Sequence, residues 1–256
     1  MFNPQLSPRG ELLHFLSTEG LPKRLLESLL AVHGGGAALA GREVCLIGPD
    51  GVALQALEQA ALALGAATRR LAAPPAASQA DIHVLRHHAS GAAHALAARL
   101  PRVVNAGDGW HARPLAALAD LLAIRQAKGG FTELRVAFIG DFAHSGRGRS
   151  LAHALTTLGA PELRAAGPRA LLPEGLPQLG LRTCDSLAQA VDGVDVVVEL
   201  GLTEEALSAL PSAEDYARRW TLGAAAPGVL RLGPPDGRGL QAASMAVFRQ
   251  LVAGAP

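Results

Sequence analysis

A chain of 256 residues allows one large domain or two moderate ones, and 49% hydrophobic against 18% charged residues excludes a disordered protein. The 23 basic and 22 acidic residues leave a formal charge of +1 without any Lys/Arg-rich run, so a nucleic-acid footprint is not expected. Cys45 and Cys184 are too few and too far apart for a disulfide framework or a cysteine metal cluster, and both lie in strand-like runs that predict buried free thiols. Every apolar stretch is interrupted well before the ~18 residues of a membrane span. Met1–Pro4 lacks the basic-then-apolar pattern of a signal peptide, so the expectation is a soluble cytoplasmic protein without contact to nucleic acid or membrane.

Apolar residues at helical spacing (Leu21, Leu25, Leu29, Val32) predict a first helix ending at Gly34-Gly35-Gly36. Val44–Ile47 is a short buried-strand run. Val52–Leu64 is an Ala/Leu helix stopped by Gly65. Strands follow at Ile82–Leu85 and Val103–Asn105, with a helix over Gly91–Leu100 between them. Pro114–Gln126 reads as a long helix with proline in its favoured first turn. The same rhythm then restarts: strand Val136–Ile139, helix Ser150–Leu158, strand Leu163–Ala166, helix Ser186–Ala190, strand Val194–Glu199 and helix Glu204–Leu210. Strand Val229–Leu232 and a terminal helix over Gln241–Val252 complete the pattern. Alternating strands and helices imply parallel sheets covered on both faces. Two such sets, joined near Lys128-Gly129-Gly130, imply two α/β domains with a cleft between them. Ligands of such folds sit at the carboxyl ends of strands, so the loops after Ile47, Leu85, Asn105, Ile139, Glu199 and Leu232 are where chemistry is sought.

The loop Gly140–Ser150 carries His144, Ser145, Arg147 and Arg149 on a glycine-rich turn into a helix N-terminus, a shape suited to an anion. It is neither a Walker loop nor a G-x-G-x-x-G turn; otherwise it is a flexible turn with Ser150 as N-cap and solvated arginines. The loop Ala106–Pro114 carries Trp110, His111 and Arg113. Trp110 and Trp220 read more readily as packing residues than as ligand platforms.

Val103-Val104-Asn105-Ala106-Gly107-Asp108-Gly109, followed by Pro114, Leu118, Asp120-Leu121-Leu122 and Ile124, resembles the signature of aspartate and ornithine carbamoyltransferases, the aspartate branch especially. Leu12–Ser17, Ala80-Asp81 through Arg86-His87, Ile139-Gly140-Asp141 with His144-Ser145 and Arg149-Ser150, and Gly233-Pro234 with Arg238-Gly239 resemble further family blocks in the family's order. The resemblance covers nearly the whole chain. It implies two doubly wound parallel-sheet domains joined by interdomain helices. A carbamoyl-phosphate-type domain would span 1–128 plus the C-terminal helix 241–256, and an amino-acid-binding-type domain 129–240. It also implies a catalytic trimer and no cofactor.

The residues that the family uses for chemistry are largely replaced. Where the family's phosphate loop reads Glu-Pro-Ser-Thr-Arg-Thr-Arg, this chain reads Gly48-Pro49-Asp50-Gly51-Val52-Ala53-Leu54. The hydroxyls and arginines are gone, and Asp50 is expected to cap the following helix and to repel phosphate. The family's His-Pro-Thr-Gln becomes Arg113-Pro114-Leu115-Ala116, and its Leu-Arg-x-Gln becomes Leu200-Gly201-Leu202-Thr203. Its His-Pro-Gly-Pro becomes Arg231-Leu232-Gly233-Pro234, and the arginine expected after His-Ser falls on Gly146, with Arg147 one residue out of place. Two family loops are also shortened, after Leu71 and after Leu202. Arg86 matches the arginine that polarises the carbamoyl oxygen, and it is the retained catalytic candidate. Losing one oriented donor typically costs ~10²–10³ in rate, so losing nearly all leaves little basis for ordinary transcarbamylation.

Two readings follow. In the first, the chain is an aspartate carbamoyltransferase-like protein that has lost transcarbamylase activity and serves a structural or regulatory role. It would form a homotrimer, or a hetero-oligomer with a carbamoyltransferase or another pyrimidine-pathway enzyme. In the second, it is a repurposed or still active carbamoyltransferase-family enzyme that holds an anionic phosphate or carboxylate. The cleft and anion candidates are then Asp50, Gly51, His111, Arg113, His144, Ser145, Arg147, Arg149, Arg231 and Arg238. His111 and His144, ordinarily titrating near ~6.5, would supply acid–base chemistry. No metal site is expected: His83, His87, His88 and His94 combine a strand end and a helix without compact ligand spacing.

Overall fold

The computed structural model describes residues 3–31, 36–208, 210–223 and 226–253. It divides into two compact units, one of Met1–Leu122 with Pro235–Pro256 and one of Ala123–Pro234. The stop expected at Gly34-Gly35, and Val32 before it, lie outside the described residues.

In the first unit, helix α1 (Lys23–Leu30) is followed by strand β1 (Glu43–Ile47), helix α2 (Val52–Ala63) and strand β2 (Ala67–Leu71). Strand β3 (Ile82–His87), helix α3 (Ala92–Ala97), strand β4 (Val103–Asp108) and the start of helix α4 (Pro114–Lys128) come next. The sheet is parallel in the order β2-β1-β3-β4. Central β1 is apolar throughout its inner residues because helices cover both of its faces. Leu16, Cys45, Ile47, Leu85, Leu96 and Val103 pack into one fully buried cluster. The long C-terminal helix α9 (Gly237–Ala253) returns to this unit and packs along α2 and α1. Alanines dominate the buried face of α2, which lets its axis approach α9 closely.

The chain enters the second unit within α4 and continues through β5 (Arg135–Gly140), α5 (Gly146–Leu158), β6 (Glu162–Ala166), β7 (Leu181–Cys184) and α6 (Leu187–Val191). Strand β8 (Val196–Gly201), helices α7 (Glu204–Ser208) and α8 (Ala213–Trp220), and strand β9 (Leu230–Leu232) complete it. Its sheet is again all parallel, in the order β7-β6-β5-β8-β9. Each sheet therefore reverses its winding once, between β1 and β3 in the first and between β5 and β8 in the second. Those reversals are where open α/β sheets present a ligand crevice.

Two local expectations need correction. Gly51, not Asp50, occupies the N-cap of α2, and no side chain caps that helix. Helix α5 starts at Gly146, with Ser145 as its cap, so Ser150 is a buried residue inside the helix. Ser145 prevails because its hydroxyl accepts the Gly148 N–H at 2.9 Å, satisfying a donor that the first turn leaves open. Both cysteines are buried free thiols. Among the described residues, no helix is long and apolar enough to cross a membrane.

Candidate functional sites at the strand ends

At the first unit's reversal, the loop leaving β1 passes very close to the end of β3. Gly48 holds φ +118°, and a Cβ there would stand 2.0 Å from the Arg86 carbonyl oxygen, so only glycine fits. Asp50 follows at the position where the carbamoyltransferase pattern has hydroxyls. Its carboxylate accepts from Arg70 Nη1 at 2.7 Å, from its neighbour Gly51 N–H at 2.8 Å and from Gln55 Nε2. Arg70 in turn donates Nη2 to Glu58 at 2.7 Å, so one guanidinium is shared by two carboxylates. The Arg70 hydrogen bond, then the Gly51 N–H, holds the Asp50 carboxyl below its ordinary range, which keeps a negative charge beside the start of α2 at neutral pH.

Arg86 turns onto the same loop. Its Nη1 donates to the carbonyls of Pro49 at 3.1 Å and Asp50 at 2.9 Å, and it covers Gly51, where a Cβ would meet it at 3.1 Å. Arg86 thus binds backbone oxygens of the loop itself. Arg113 lies over Gly107, and its guanidinium is held below its ordinary range by desolvation first and by the positive charge of Arg86 second. The structure therefore brings Arg86, Asp50, Gly51 and Arg113 into one neighbourhood.

Asp108, at the end of β4, is fully buried. Its oxygens accept from Asn105 Nδ2 at 2.9 Å, from the Gly91 N–H at 2.9 Å and from the Ala112 N–H at 3.2 Å. His111 Nδ1 stands 3.3 Å from both Asp108 oxygens. Arg238 is exposed in the first turn of α9.

The second unit repeats the aspartate–histidine pairing at its own reversal. Asp141, buried after β5, lies 3.0 Å from His144 Nδ1 and accepts the His144 N–H at 3.1 Å and the Thr203 hydroxyl at 3.3 Å. Thr203 follows β8, so this bond ties the two sides of the crevice together. Arg147 is buried rather than solvated, donating Nη1 to the Glu199 carbonyl at 2.9 Å and Nη2 to the Gly233 carbonyl at 2.6 Å. Arg149 Nη1 donates to the Ala143 carbonyl at 2.9 Å. Arg231 pairs through two nitrogens with the Glu199 carboxylate, and that pairing holds the Glu199 carboxyl below its usual range. His144, Ser145, Arg147 and Arg149 thus share one turn, with Arg231 joined to it through Glu199.

Helix α8, which the periodicity does not predict, occupies the carboxyl end of this sheet. Its Tyr216 and Trp220 line two adjoining hollows of about 330 and 250 Å³, with Glu199, Gly201, Gly233 and Pro234 on the wall of the smaller. Burial, then the charges of Asp141 and Glu199, pushes the Tyr216 phenol up, so it stays protonated as a hydrogen-bond donor. The signal that could have found α8 is Ser212-Ala213-Glu214-Asp215, a hydroxyl cap with acidic residues in the first turn. Ser212 Oγ accepts the Asp215 N–H at 3.1 Å.

No family model matches the chain. The two parallel α/β units match the two-domain carbamoyltransferase fold of solved structures, and the chain has that fold. Solved structures that it resembles include those of aspartate transcarbamoylase from Trypanosoma cruzi. The form in complex with N-(phosphonacetyl)-L-aspartic acid superposes with a TM-score of 0.80 at 17% identity, over 93% of this chain and 95% of that one. The form with carbamoyl aspartate and phosphate gives 0.80 at 18% identity, over 94% and 95%. The ligand-free form gives 0.74 at 15%, over 93% and 95%.

Proposed function

We propose that this chain is an aspartate carbamoyltransferase-like protein that has lost transcarbamylase activity and serves a structural or regulatory role. In this reading it forms a homotrimer, or a hetero-oligomer with an active carbamoyltransferase or another pyrimidine-pathway enzyme, in the cytoplasm. The observation that carries the proposal is the loop after β1. A phosphate there would meet the ionised Asp50 carboxylate, no hydroxyl, and an arginine already donating to the carbonyls of Pro49 and Asp50. The second unit supports the same reading, since Arg147 and Arg231 are bonded to Glu199 and Gly233. An oriented cationic cradle is what stabilises a phosphate leaving group, and its donors here are spent on the protein's own oxygens.

One observation favours the anion-binding alternative: Arg86 stands close enough to Arg113 for its charge to act on that guanidinium. Two like charges held together invite an anion between them. The test is an assay of the pure chain with carbamoyl phosphate and either aspartate or ornithine, run beside thermal shifts with inorganic phosphate. Absence of turnover, with no phosphate shift, is the expected result. Turnover at ordinary enzyme rates overturns the proposal. A phosphate shift abolished by Arg113→Ala, without turnover, moves the reading to a repurposed anion binder.

A further inference from the structure

His94, Asp108 and His111 come from three separate pieces of the first unit: α3, the end of β4, and the loop beyond it. In the fold, one ring nitrogen from each histidine and one carboxylate oxygen all lie within 4.8 Å of one another. Among the described residues, this is the group of three histidine, cysteine or acidic side chains gathered so closely. We infer that these three residues form a His2Asp site for a divalent first-row transition ion of the zinc type.

Ligands about 2.0–2.1 Å from a tetrahedral ion stand roughly 3.3–3.4 Å apart. The distance from His111 Nδ1 to either Asp108 oxygen is 3.3 Å, which is that edge. It is also longer than the ~2.9 Å typical of a direct N–H···O bond. The imidazole rings of His94 and His111 meet edge to face with centroids 5.2 Å apart, which sets the His94 ring at the third corner of the group.

The carboxylate is fixed before any ion arrives. Asn105 Nδ2, the Gly91 N–H and the Ala112 N–H hold both Asp108 oxygens in place. Asn105 is itself oriented, donating Nδ2 to the Leu16 carbonyl as well and accepting the Gly107 N–H. Groups that orient a metal-binding carboxylate in this way raise affinity by limiting the reorganisation on binding. The His111 side chain is 37% exposed, so the site is open to solvent and a water can complete the coordination. His94 in turn lies near enough to His14 to act on its charge, and Glu19 near enough to act on that of His94. Two imidazoles with one carboxylate suit zinc, cobalt, nickel and copper and do not suit magnesium or calcium, which prefer all-oxygen shells.

The experiment is equilibrium dialysis of the intact chain with Zn2+ alone, paired with the visible absorption spectrum of its Co2+ form. One ion per chain is expected, with the intense bands of low-coordinate cobalt. His111→Ala and, separately, His94→Gln should each weaken Zn2+ binding at least tenfold. The melting temperature of the metal-free His111→Ala protein should stay at the wild-type value, because that side chain is partly exposed. Absence of stoichiometric binding by the wild type overturns the inference. So does binding that survives both substitutions, which would place the ion on other histidines such as the stacked pair His87 and His88.

Discussion

At the scale of single residues, several arginines at the strand ends are bound to the protein's own oxygens. Arg70 serves Asp50 and Glu58, Arg86 the β1 loop, and Arg147 the carbonyls of Glu199 and Gly233. Arg164 does the same structural work farther from the strand ends. It is buried, donates Nε to Glu162 at 2.8 Å, and sends Nη1 to the carbonyls of Gln189, Ala190 and Asp192. Those carbonyls belong to the C-terminal end of α6, where a cation is favoured by the open acceptors. The hydrogen bond from Arg164, reinforced by Arg182, pulls the Glu162 carboxyl down to about 2 from its ordinary 4.5. A carboxyl with a depressed folded pKa stabilises fully above its unfolded value and loses that contribution as the pH falls through the folded one. Wild-type stability should therefore fall between about pH 4.5 and pH 2 in part because Glu162 protonates. The side chain is 31% exposed, so screening limits the contribution to on the order of 1 kcal/mol. Denaturant titrations across this range should show a shallower acid dependence for Glu162→Gln. An unchanged slope would mean that the pair is screened away by solvent.

At the scale of elements, helix α5 depends on a cap that the loop reading misplaces. Ser145→Ala removes the acceptor of the Gly148 N–H at the helix start and should cost about 1 kcal/mol, measured as a lower urea midpoint at unchanged slope. A loss below a few tenths would show that water replaces the hydroxyl there. The same element shows where the sequence is legible. Buried strands β1, β3, β4, β5, β6 and β8 announce themselves because helices cover both faces and apolar residues dominate their inner positions, although β3 keeps His83, β4 Asn105 and β6 Arg164 among them. Edge strands β2 and β7 do not. Ala67–Leu71 is Ala-Thr-Arg-Arg-Leu with exposed positions, and Leu181–Cys184 buries only its two ends. No hydrophobic run marks them, and their pairing to β1 and β6 makes them strands. The site was legible in its losses, since each missing hydroxyl or arginine could be counted along the chain. Its gains were not. Arg70 reaching back to Asp50, Tyr216 and Trp220 over β5 and β8, and His94 meeting Asp108 and His111 are all contacts between segments distant in sequence. Linear spacing holds no record of them.

At the scale of the whole molecule, the two units differ in how they are strung. The second is one uninterrupted segment, Ala123–Pro234, whereas the first is closed by α9 arriving from the far end of the chain. Leu240, Val247, Phe248 and Leu251 of α9 are all buried, and α9 packs along α2 and α1. At about 1.5–3 kcal/mol for each fully buried large apolar side chain, these four contribute roughly 6–12 kcal/mol as an upper estimate. That rivals the ~5–15 kcal/mol that holds a typical domain together. Ending the chain after Pro234 should therefore unfold the first unit by exposing Leu54, Leu57 and Ala61 of α2. The second unit keeps its own sheet and its own cluster around Ala137, Ile139, Ala166 and Val197, so its folding does not require α9. Hydrogen exchange on the shortened chain should show β1, β3 and β4 unprotected, while β5, β6 and β8 retain protection. Equal loss of protection across both sheets would show that the two units fold only as one; full protection in both would show that α9 is dispensable. The expected outcome is a second unit that stands by itself and a first unit that waits for α9.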